Sequence, residues 1–223
     1  MLTDTHRTPG RPQADAPAIS REEIIEAALE AFAGQGFDGM SIRALARSLG
    51  VSHSLIHHYF TSKQALWEAG VEQVYGAVRD AAFALADSID KDLPPADAAR
   101  RFIREAVIIS SRYPACLRIA LDEGGRGGPR LQHLYENYFG PINERWKNAI
   151  AHFGEGESEL NPVDDRALFF LCVFGGAAPF FARELAGYFD GDNLATRQAT
   201  EKHAETVASM VVDGLRARAE ETP

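Results

Sequence analysis

The segment 41–66 limits the possible folds more than any other part of the chain, because it predicts two short helices, a tight turn between them and the start of a third helix. Apolar residues recur at helical spacing along one face of the first helix, at Ile42, Leu45, Ala46 and Leu49. Gly50 supplies the turn, since glycine takes a positive φ without steric cost, and Ser52 is placed to cap the second helix. The pattern predicts a helix-turn-helix.

The second helix of this motif is short and amphipathic, with a polar outer face. Ile56 and Phe60 are its apolar anchors. The side chains predicted to point outward are Ser52, His53, Ser54, Leu55, His57 and His58. A small helix with polar tips fits the major groove of duplex DNA, which is wide enough to admit one α-helix.

The charge around the motif differs from that of the whole chain. The full sequence has a formal net charge of -9, yet residues 39–67 contain no Asp or Glu and include Arg43, Arg47 and Lys63. A local surface without acidic groups favours a polyanion, because neutralised phosphates release their counterions. We therefore predict that this segment binds double-stranded DNA. The alternative interpretation is a neutral three-helix module that binds no ligand.

Residues 20–68 resemble the DNA-binding region of the TetR (tetracycline-repressor) family of transcription regulators. Ser20 and Glu23 form a capping box that opens a first helix, which is expected to end at 34–37. The family-like run that follows comprises Ser41, Ile42, Arg43, Leu45, Ala46, Leu49, Gly50, Val51, Ser52, Ile56, Tyr59, Phe60, Ser62, Lys63, Ala65 and Leu66. The resemblance implies a homodimeric regulator that represses transcription from a palindromic operator and is released from it by a small-molecule effector.

The resemblance also implies roles for individual residues. Arg43 would contact a base edge or a phosphate, and Tyr59 and Lys63 would hold phosphates. Lys63 lies in the first turn of the next helix, where free backbone N–H groups also favour an anion. The complete set of predicted DNA-binding residues is Ser41, Arg43, Ser52, His53, Ser54, Leu55, His57, His58, Tyr59 and Lys63.

Two positions depart from the family pattern. His57 stands where a tyrosine is usual, and imidazoles ordinarily change charge at about pH 6.5, so the DNA affinity is expected to depend on pH. Ser54 stands in place of a glycine and adds a hydroxyl group. His53 and His57 have a spacing that can also bind a transition metal, but a zinc site normally needs three or four ligands. No metal and no cofactor are predicted.

After residue 62 the sequence predicts helix upon helix without the alternation of strands, so the expected fold is all-α, with a three-helix head and a larger helical body. The predicted body helices cover 62–89, 97–111, 115–122, 129–153, 162–187 and 193–218. The glycine-rich stretch 124–128 is expected to break the chain before Pro129. The predicted domains are a disordered arm at 1–19, a helix-turn-helix DNA-binding domain at 20–66, and an effector-binding and dimerisation domain at 67–219.

The N-terminal arm is rich in Pro, Thr, Asp and Ala and shows no periodicity. Within it, residues 9–12 resemble the Gly-Arg-Pro core of a minor-groove hook, with Arg7 nearby. Asp4 and Asp15 dilute the positive charge, so a plain tail is the better interpretation.

Two features of the body predict dimerisation and effector binding. The helix 162–187 carries phenylalanine around its whole circumference, more than one small domain should bury, so the last two helices are expected to pack against a second copy. These phenylalanines are Phe169, Phe170, Phe174, Phe180 and Phe181.

Aromatic and aliphatic residues that recur on helix faces of the body are either ordinary core or the lining of a pocket for a largely hydrophobic effector. The candidates for this lining are Phe102, Ile109, Tyr113, Leu117, Tyr135, Tyr138, Phe139, Trp146, Phe170 and Phe174, with Arg112 and Arg118 as polar handles.

Other classes of protein receive less support. The apolar run 167–182 is shorter than the ~20 residues that cross a bilayer, so no membrane partner is predicted. Cys116 and Cys172 lie in apolar surroundings and no signal-peptide pattern precedes them, which favours the reduced cytoplasm. The sequence has no nucleophile elbow, phosphate-binding loop or zinc signature, so an enzyme is not predicted. The remaining alternative is a helical adaptor that binds protein through the 169–181 face without specific DNA binding.

Overall fold

The computed structural model describes residues 19–90, 92–153, 164–189, 194 and 196–220, and every regular element among them is helical. The helices are α1 (Arg21–Gly39), α2 (Ile42–Ser48), α3 (His53–Tyr59), α4 (Lys63–Asp87), α5 (Pro95–Arg112), α6 (Pro114–Arg126), α7 (Pro129–Leu134), α8 (Gly140–Phe153), α9 (Asp165–Phe169), α10 (Gly176–Phe181), α11 (Arg183–Ala186) and α12 (Arg197–Glu220). The predicted all-α class is confirmed. The predicted arm lies outside the described residues, apart from Ile19.

Two π-helical segments interrupt the body helices. The first, Tyr135–Phe139, joins α7 to α8, and the second, Phe170–Gly175, joins α9 to α10. None of the described helices is both long and apolar enough to cross a membrane.

A serine precedes each of α1 to α4, and its side-chain oxygen accepts a backbone N–H of the first turn. Ser20 and Glu23 form the predicted capping box, with distances of 3.1 Å from the Glu23 nitrogen to the serine oxygen and 2.7 Å from the Ser20 nitrogen to the carboxylate. The corresponding bonds of Ser52 and Ser62 measure 3.2 and 3.0 Å. Local sequence therefore sets the start of every helix in the head.

Helix α1 extends beyond its predicted end, because the chain kinks at Gly36 and then resumes a helical turn to Gly39. Gly36 has φ 70° and ψ 170°, a backbone conformation that side chains disfavour. A Cβ at this position would lie 2.8 Å from the carboxylate oxygen Oδ2 of Asp122 in α6. The glycine therefore allows the end of α1 to pack directly against the body.

One apolar cluster runs from the head into the body. Phe32 in α1, Ile56 in α3 and Trp67 in α4 belong to it. Its members in the body are Tyr75, Cys116, Ile119, Leu134 and Tyr138. The Tyr75 hydroxyl donates a hydrogen bond of 2.6 Å to the Cys116 carbonyl oxygen inside this cluster. The proposed boundary at 66–67 is therefore crossed by a continuous core. A second cluster, centred on Phe102, Trp146 and Phe169, fills the body.

Several predicted helix ends in the body were wrong. Helix α6 continues to Arg126, four residues beyond its predicted end, and Gly124 and Gly125 are helical. The turn is made instead by Gly127 and Gly128, at φ 72° and 94°. A glycine inside a helix costs only about 1 kcal/mol relative to alanine, so packing against α1 can hold these residues in the helix.

The predicted single helices at 129–153 and 162–187 are each broken by a π-helical segment. The second also breaks at Ala182, where φ is -101° and ψ is 43° and α10 gives way to α11. Pro179 lies three residues before this break. The predicted starts at 162 and 193 lie outside the described residues.

Candidate DNA-binding surface and effector cavity

Helices α2 and α3 form the predicted helix-turn-helix. Leu45 and Ala46 of α2 and Ile56 of α3 are buried, and Phe60 closes α3 against the same core. Gly50 has φ 66°, as the turn requires. Arg43 and Arg47 are exposed on the opposite face of α2. The motif therefore presents one packed face and one basic, solvent-facing side.

The outer face of α3 carries the predicted polar side chains. Ser54, His57 and His58 are exposed, while His53 and Leu55 are partly buried. The His53 and His57 rings pack edge to face with their centroids 4.4 Å apart, and the Ser52 and Ser54 hydroxyl oxygens are 2.9 Å apart. Among the described residues, no three or more His, Cys, Asp or Glu side chains are grouped so as to hold a metal ion.

Tyr59 and Lys63 lie at the end of α3 and the start of α4. Tyr59 is 39% exposed, and its ring packs against His58 at 5.5 Å. The Lys63 ammonium nitrogen donates to the Asp38 carbonyl oxygen at 3.2 Å and lies 4.8 Å from the centroid of the Phe37 ring. Lys63 is thus anchored against the kinked end of α1, a contact that the sequence pattern did not indicate.

Sequence reasoning missed one further cation beside the motif. The guanidinium of Arg21, at the first residue of α1, lies 5.2 Å from the centroid of the Phe60 ring. Arg21 is exposed and adjoins the end of α3. The sequence shows a basic residue directly after the Ser20 cap. It does not show that this residue lies near α3, because the two are far apart along the chain.

Ion pairs along α1 also join the head to α6 of the body. Arg118 of α6 pairs with Glu30 of α1 at 2.7 Å, and Arg126 pairs with Asp122 at 3.0 Å and with Asp38 at 3.6 Å. These pairs place three carboxylates of the α1–α6 interface opposite two guanidinium groups.

A buried ion pair stands behind this interface. Glu123 is 1% exposed, and its Oε1 accepts a hydrogen bond of 2.6 Å from the Nε of Arg130. The Arg130 guanidinium also lies 4.0 Å from the centroid of the Phe37 ring. Phe37 therefore contacts cations from both sides of the junction, Lys63 from the head and Arg130 from the body.

The body contains an inner cavity of about 60 Å³ between α4, α5, α6 and α8. Its lining is mostly hydrocarbon and aromatic. It includes six of the predicted lining residues, namely Phe102, Ile109, Tyr113, Leu117, Phe139 and Trp146. Ligand pockets commonly enclose about 300–1,000 Å³, so this cavity holds only a small group as it stands.

An outer groove of about 750 Å³ lies beside the cavity, between α6, α8 and α9. Three predicted lining residues, Tyr135, Phe170 and Phe174, are found here. Phe139 and Phe169 line both spaces, so these two rings form the wall between cavity and groove. The predicted lining is thus divided between two adjoining spaces.

Three predicted lining residues contact neither space. Tyr138 packs its ring against Tyr75 and donates a hydrogen bond of 2.6 Å to the Oε2 of Glu72. Burial and this bond raise the pKa of its hydroxyl above the ordinary value. Arg118 is turned toward Glu30, and Arg112 lies on another surface. The charged residue that does line the cavity is Arg145, which pairs with Asp87.

The phenylalanines expected at a dimer interface are mostly used inside the chain. Phe169 and Phe180 are buried, and Phe174 packs its ring 6.5 Å from that of Phe139. The large exposed apolar side chains near the C-terminal helices are instead Leu185 (61% exposed), Tyr188 (89%), Phe189 (72%) and Met210 (72%). The surplus apolar surface therefore lies mainly on α11, the residues after it and α12, while Phe170 (54% exposed) and Leu171 (55%) remain exposed on the 169–181 face.

Comparison with known proteins agrees with the geometry of the head. Residues 24–69 match the family model described as bacterial regulatory proteins, tetR family. The transcriptional regulator RutR of Escherichia coli strain K12 is 26% identical over 221 residues, which span 98% of this chain and 100% of that protein. The regulator BetI of Rhizobium meliloti strain 1021 is 36% identical over 73 residues, or 33% of this chain and 36% of that protein.

Solved structures share the fold of the whole chain. The ketosteroid transcriptional regulator KstR2 of Mycobacterium tuberculosis matches with a TM-score of 0.66 at 17% identity, covering 91% of this chain and 96% of that one. PfmR of Thermus thermophilus, a TetR-family transcriptional regulator, matches with a TM-score of 0.61 at 18% identity, covering 86% and 98%. Together with the family match in the head, these findings confirm the resemblance seen in the sequence: residues 24–69 match the TetR family, and the chain shares its fold with a TetR-family transcription regulator over 86% of its length.

Proposed function

We propose that this protein is a homodimeric, effector-responsive repressor that binds a palindromic operator through α2 and α3. The observation that carries the proposal is the outer surface of the helix-turn-helix. Its apolar anchors are buried, its arginines and histidines face solvent, and residues 39–67 contain no carboxylate side chain. A duplex phosphate backbone would meet no repulsive charge along this segment.

The roles within this surface follow from exposure. Ser54, His57 and His58 are the exposed tips of α3 and would contact base edges. Arg43, Arg21 and Tyr59 lie at the margins and would contact phosphates. Ser41 and Ser52 cap their helices and hold them in register, so their contribution to DNA binding is structural as well as direct.

Dimerisation would use the surface formed by α12 and residues 185–189. Four large apolar side chains are exposed on these segments, where they contact water. The opposite side of α12 is already packed within the chain, since Ala208 and Val212 are buried in the body cluster. A second copy related by two-fold symmetry would cover the patch and place two α3 helices on one face of the DNA.

The effector would occupy the inner cavity and the outer groove. Both are walled by α6, whose last turns contact the kinked end of α1 through Arg126 and Asp122. An effector that moves α6 would change the ion pairs with Asp38 and the contact of Arg130 with Phe37. Phe37 also contacts Lys63 in the head. A movement of α6 would therefore be transmitted to the head and would change the distance between the two heads of the dimer.

The decisive experiment measures fluorescence anisotropy of the purified protein on duplexes tiled across the DNA upstream of its own gene. We expect one site to bind tightly and its affinity to fall steeply with salt. Lys63→Ala and Arg43→Ala should each weaken binding by about tenfold. Each should also reduce the dependence of the binding constant on salt concentration by the amount expected for the loss of about one phosphate contact. Arg101→Ala, which removes an exposed arginine of α5, is the matched control and should leave the affinity unchanged.

The same anisotropy measurement tests the contribution of His57, an exposed residue of α3. His57→Ala should weaken binding to the operator, whereas His152→Ala in the body should not. Uniform, weak binding to every duplex by a folded dimer would refute the proposal and favour a protein-binding adaptor.

A further inference from the structure

The side chain that stands out in the inner cavity is Trp146. It is 4% exposed, lines the cavity from α8, and its indole nitrogen Nε1 is buried without a hydrogen-bond partner among the described residues. Buried N–H groups are almost always paired, because an unpaired donor has lost its water and gained nothing in exchange. A donor left unpaired in the wall of a cavity is therefore available to whatever enters.

The neighbours of Trp146 hold the indole in place. Its ring lies 5.2 Å from Phe102 and meets Phe169 edge to face at 5.6 Å. Phe169 and Phe139 form the wall toward the outer groove. The indole is thus held in the inner cavity, on the other side of this wall from the outer groove.

Two of the other polar side chains that line the cavity already have partners. The Ser110 hydroxyl donates to the Ala106 carbonyl oxygen at 2.8 Å, and Arg145 pairs with Asp87 and lies over the Phe83 ring. Burial raises the pKa of the Cys116 thiol, which stays neutral. A charged group entering here would find no free counter-ion and would lose its hydration, which excludes it.

The two spaces also limit the shape of a ligand. The inner cavity has about 60 Å³, whereas the groove has about 750 Å³ and carries Asn143, Lys147 and Arg166 along its wall. A ligand that uses both must place a small end inside and its body outside. The wall between them is built on the π-helical segment that ends at Phe139, and such segments are rare and frequently found at functional sites.

We infer that the effector is a flat or elongated hydrocarbon with one uncharged hydrogen-bond acceptor at its inner end, such as a carbonyl oxygen, and that the Trp146 indole N–H is the donor that selects it. This inference rests on the proposed function, in which the cavity and groove are the effector site. Trp146 is thereby a specificity-determining residue of the site.

Two probes that differ only in the acceptor test this selection. The ketone 4-acetylbiphenyl and its alkene analogue 4-isopropenylbiphenyl share one elongated frame and differ only in the group at one end, and equilibrium dialysis against the full-length protein gives a Kd for each. The ratio of the alkene Kd to the ketone Kd should be about three to ten times larger for the natural protein than for Trp146→Phe, as expected for one net hydrogen bond. Trp67→Phe, the same exchange in the head core, should leave the ratio unchanged.

A second measurement needs no change at Trp146. The chain has two tryptophans, so a ¹⁵N-labelled sample gives two indole signals, and Trp67→Phe assigns them. The ketone 4-acetylbiphenyl should shift the Trp146 indole proton downfield, and 4-isopropenylbiphenyl should not.

Three results would overturn the inference: equal ratios for the natural protein and Trp146→Phe, equal shifts with both probes, or no binding of either probe by the natural protein. Operator binding, measured on the same samples by anisotropy, reports separately on the proposed function. A protein that binds its operator but shows no acceptor preference would refute the inference alone.

Discussion

The head and the body of this regulator use different means to build helices. In the head, α1 to α4 each start after a serine that caps the helix through its side chain. In the body, α5, α6 and α7 each start with a proline and lack a side-chain cap, and two π-helical segments interrupt other helices. Side-chain caps recur later in the chain, from Asp164 at α9 and from Thr196 at α12. Capping is a local interaction, whereas a π-helical turn is held by its neighbours. The head is therefore specified locally, and the body depends more on tertiary packing.

This difference suits the tasks proposed for the two regions. A surface that binds DNA must present Arg43 and the exposed side chains of α3 in one geometry, and caps fix that geometry through residues a few positions apart. The proposed effector site needs walls that can move, and side-chain packing such as that of Phe139 against Phe174 can rearrange. The comparison can be tested at the core that joins the two regions, at their contact, at the caps and at the cysteines.

The largest effect is expected from Phe32→Ala. Phe32 is 2% exposed and belongs to the apolar cluster that continues into the body, so its loss should lower the free energy of unfolding by about 3–5 kcal/mol. Because the cluster is shared, head and body should still unfold together in urea, followed by circular dichroism and tryptophan fluorescence. Phe170→Ala, at a 54% exposed site, is the control and should cost far less. A separate early transition of the head would contradict the shared core.

The contact between the regions is tested by Gly36→Ala. Its φ of 70° disfavours alanine, and the new Cβ would lie 2.8 Å from the Asp122 carboxylate, so a loss of about 1–3 kcal/mol is expected in thermal unfolding. Gly34→Ala is the matched control two residues away. Gly34 is helical and a Cβ there would meet nothing within 4 Å, so this change should stabilise by up to about 1 kcal/mol. Equal changes in stability for the two variants would show that a side chain at position 36 causes no strain at the kink.

The caps are tested by comparing Ser52→Ala with Pro114→Ala. Removing the serine leaves the Leu55 N–H without its acceptor and should cost about 1 kcal/mol. Removing the proline changes mainly the entropy of the unfolded chain and should cost about 0.5 kcal/mol. Chemical denaturation of both variants gives the difference. A larger loss for the proline would mean that body helices also depend on local signals.

The smallest effect is expected in thiol alkylation at pH 8. Burial raises the pKa of Cys172 to about 12 and that of Cys116 above its ordinary value, so both thiols are neutral at this pH and should react slowly with iodoacetamide. Both become reactive only when the chain opens and their pKa values return toward about 8.5. Mass spectrometry should find Cys172, in the body cluster, labelled before Cys116, in the shared cluster. The reverse order would place the weaker packing at the junction.

The same division explains what could be predicted from the sequence. The caps at Ser20 and Ser52 and the turn at Gly50 were predicted, because each depends on residues within a few positions. Ser41 and Ser62 cap their helices by the same local interaction. The π-helical segments and the break at Ala182 were not, because no local signal specifies them. The stacking of Arg21 on Phe60 and of Arg130 on Phe37 joins residues far apart in sequence, which a linear pattern does not reveal.

The candidate lining of the cavity shows the limit of such patterns clearly. Aromatic residues at helical spacing identify the helices that surround the cavity, and six of the predicted residues line it. The pattern does not indicate rotation about each helix axis, so Tyr138 was grouped with Phe139 although it packs against Tyr75 and Glu72. Tyr138 and Phe139 are adjacent in the π-helical segment, yet Tyr138 makes a hydrogen bond in the core and Phe139 lines the cavity.

The apolar cluster shared by head and body sets a rule for building hybrid regulators from this chain. A junction placed after Trp67 would join the body to a foreign head and leave Tyr75, Cys116 and Leu134 facing side chains that they do not fit. A workable hybrid must carry these positions over with the head, together with Gly36 and Asp122 across the α1–α6 contact. The unit that can be exchanged between relatives is thus defined by packing and is discontinuous along the polypeptide.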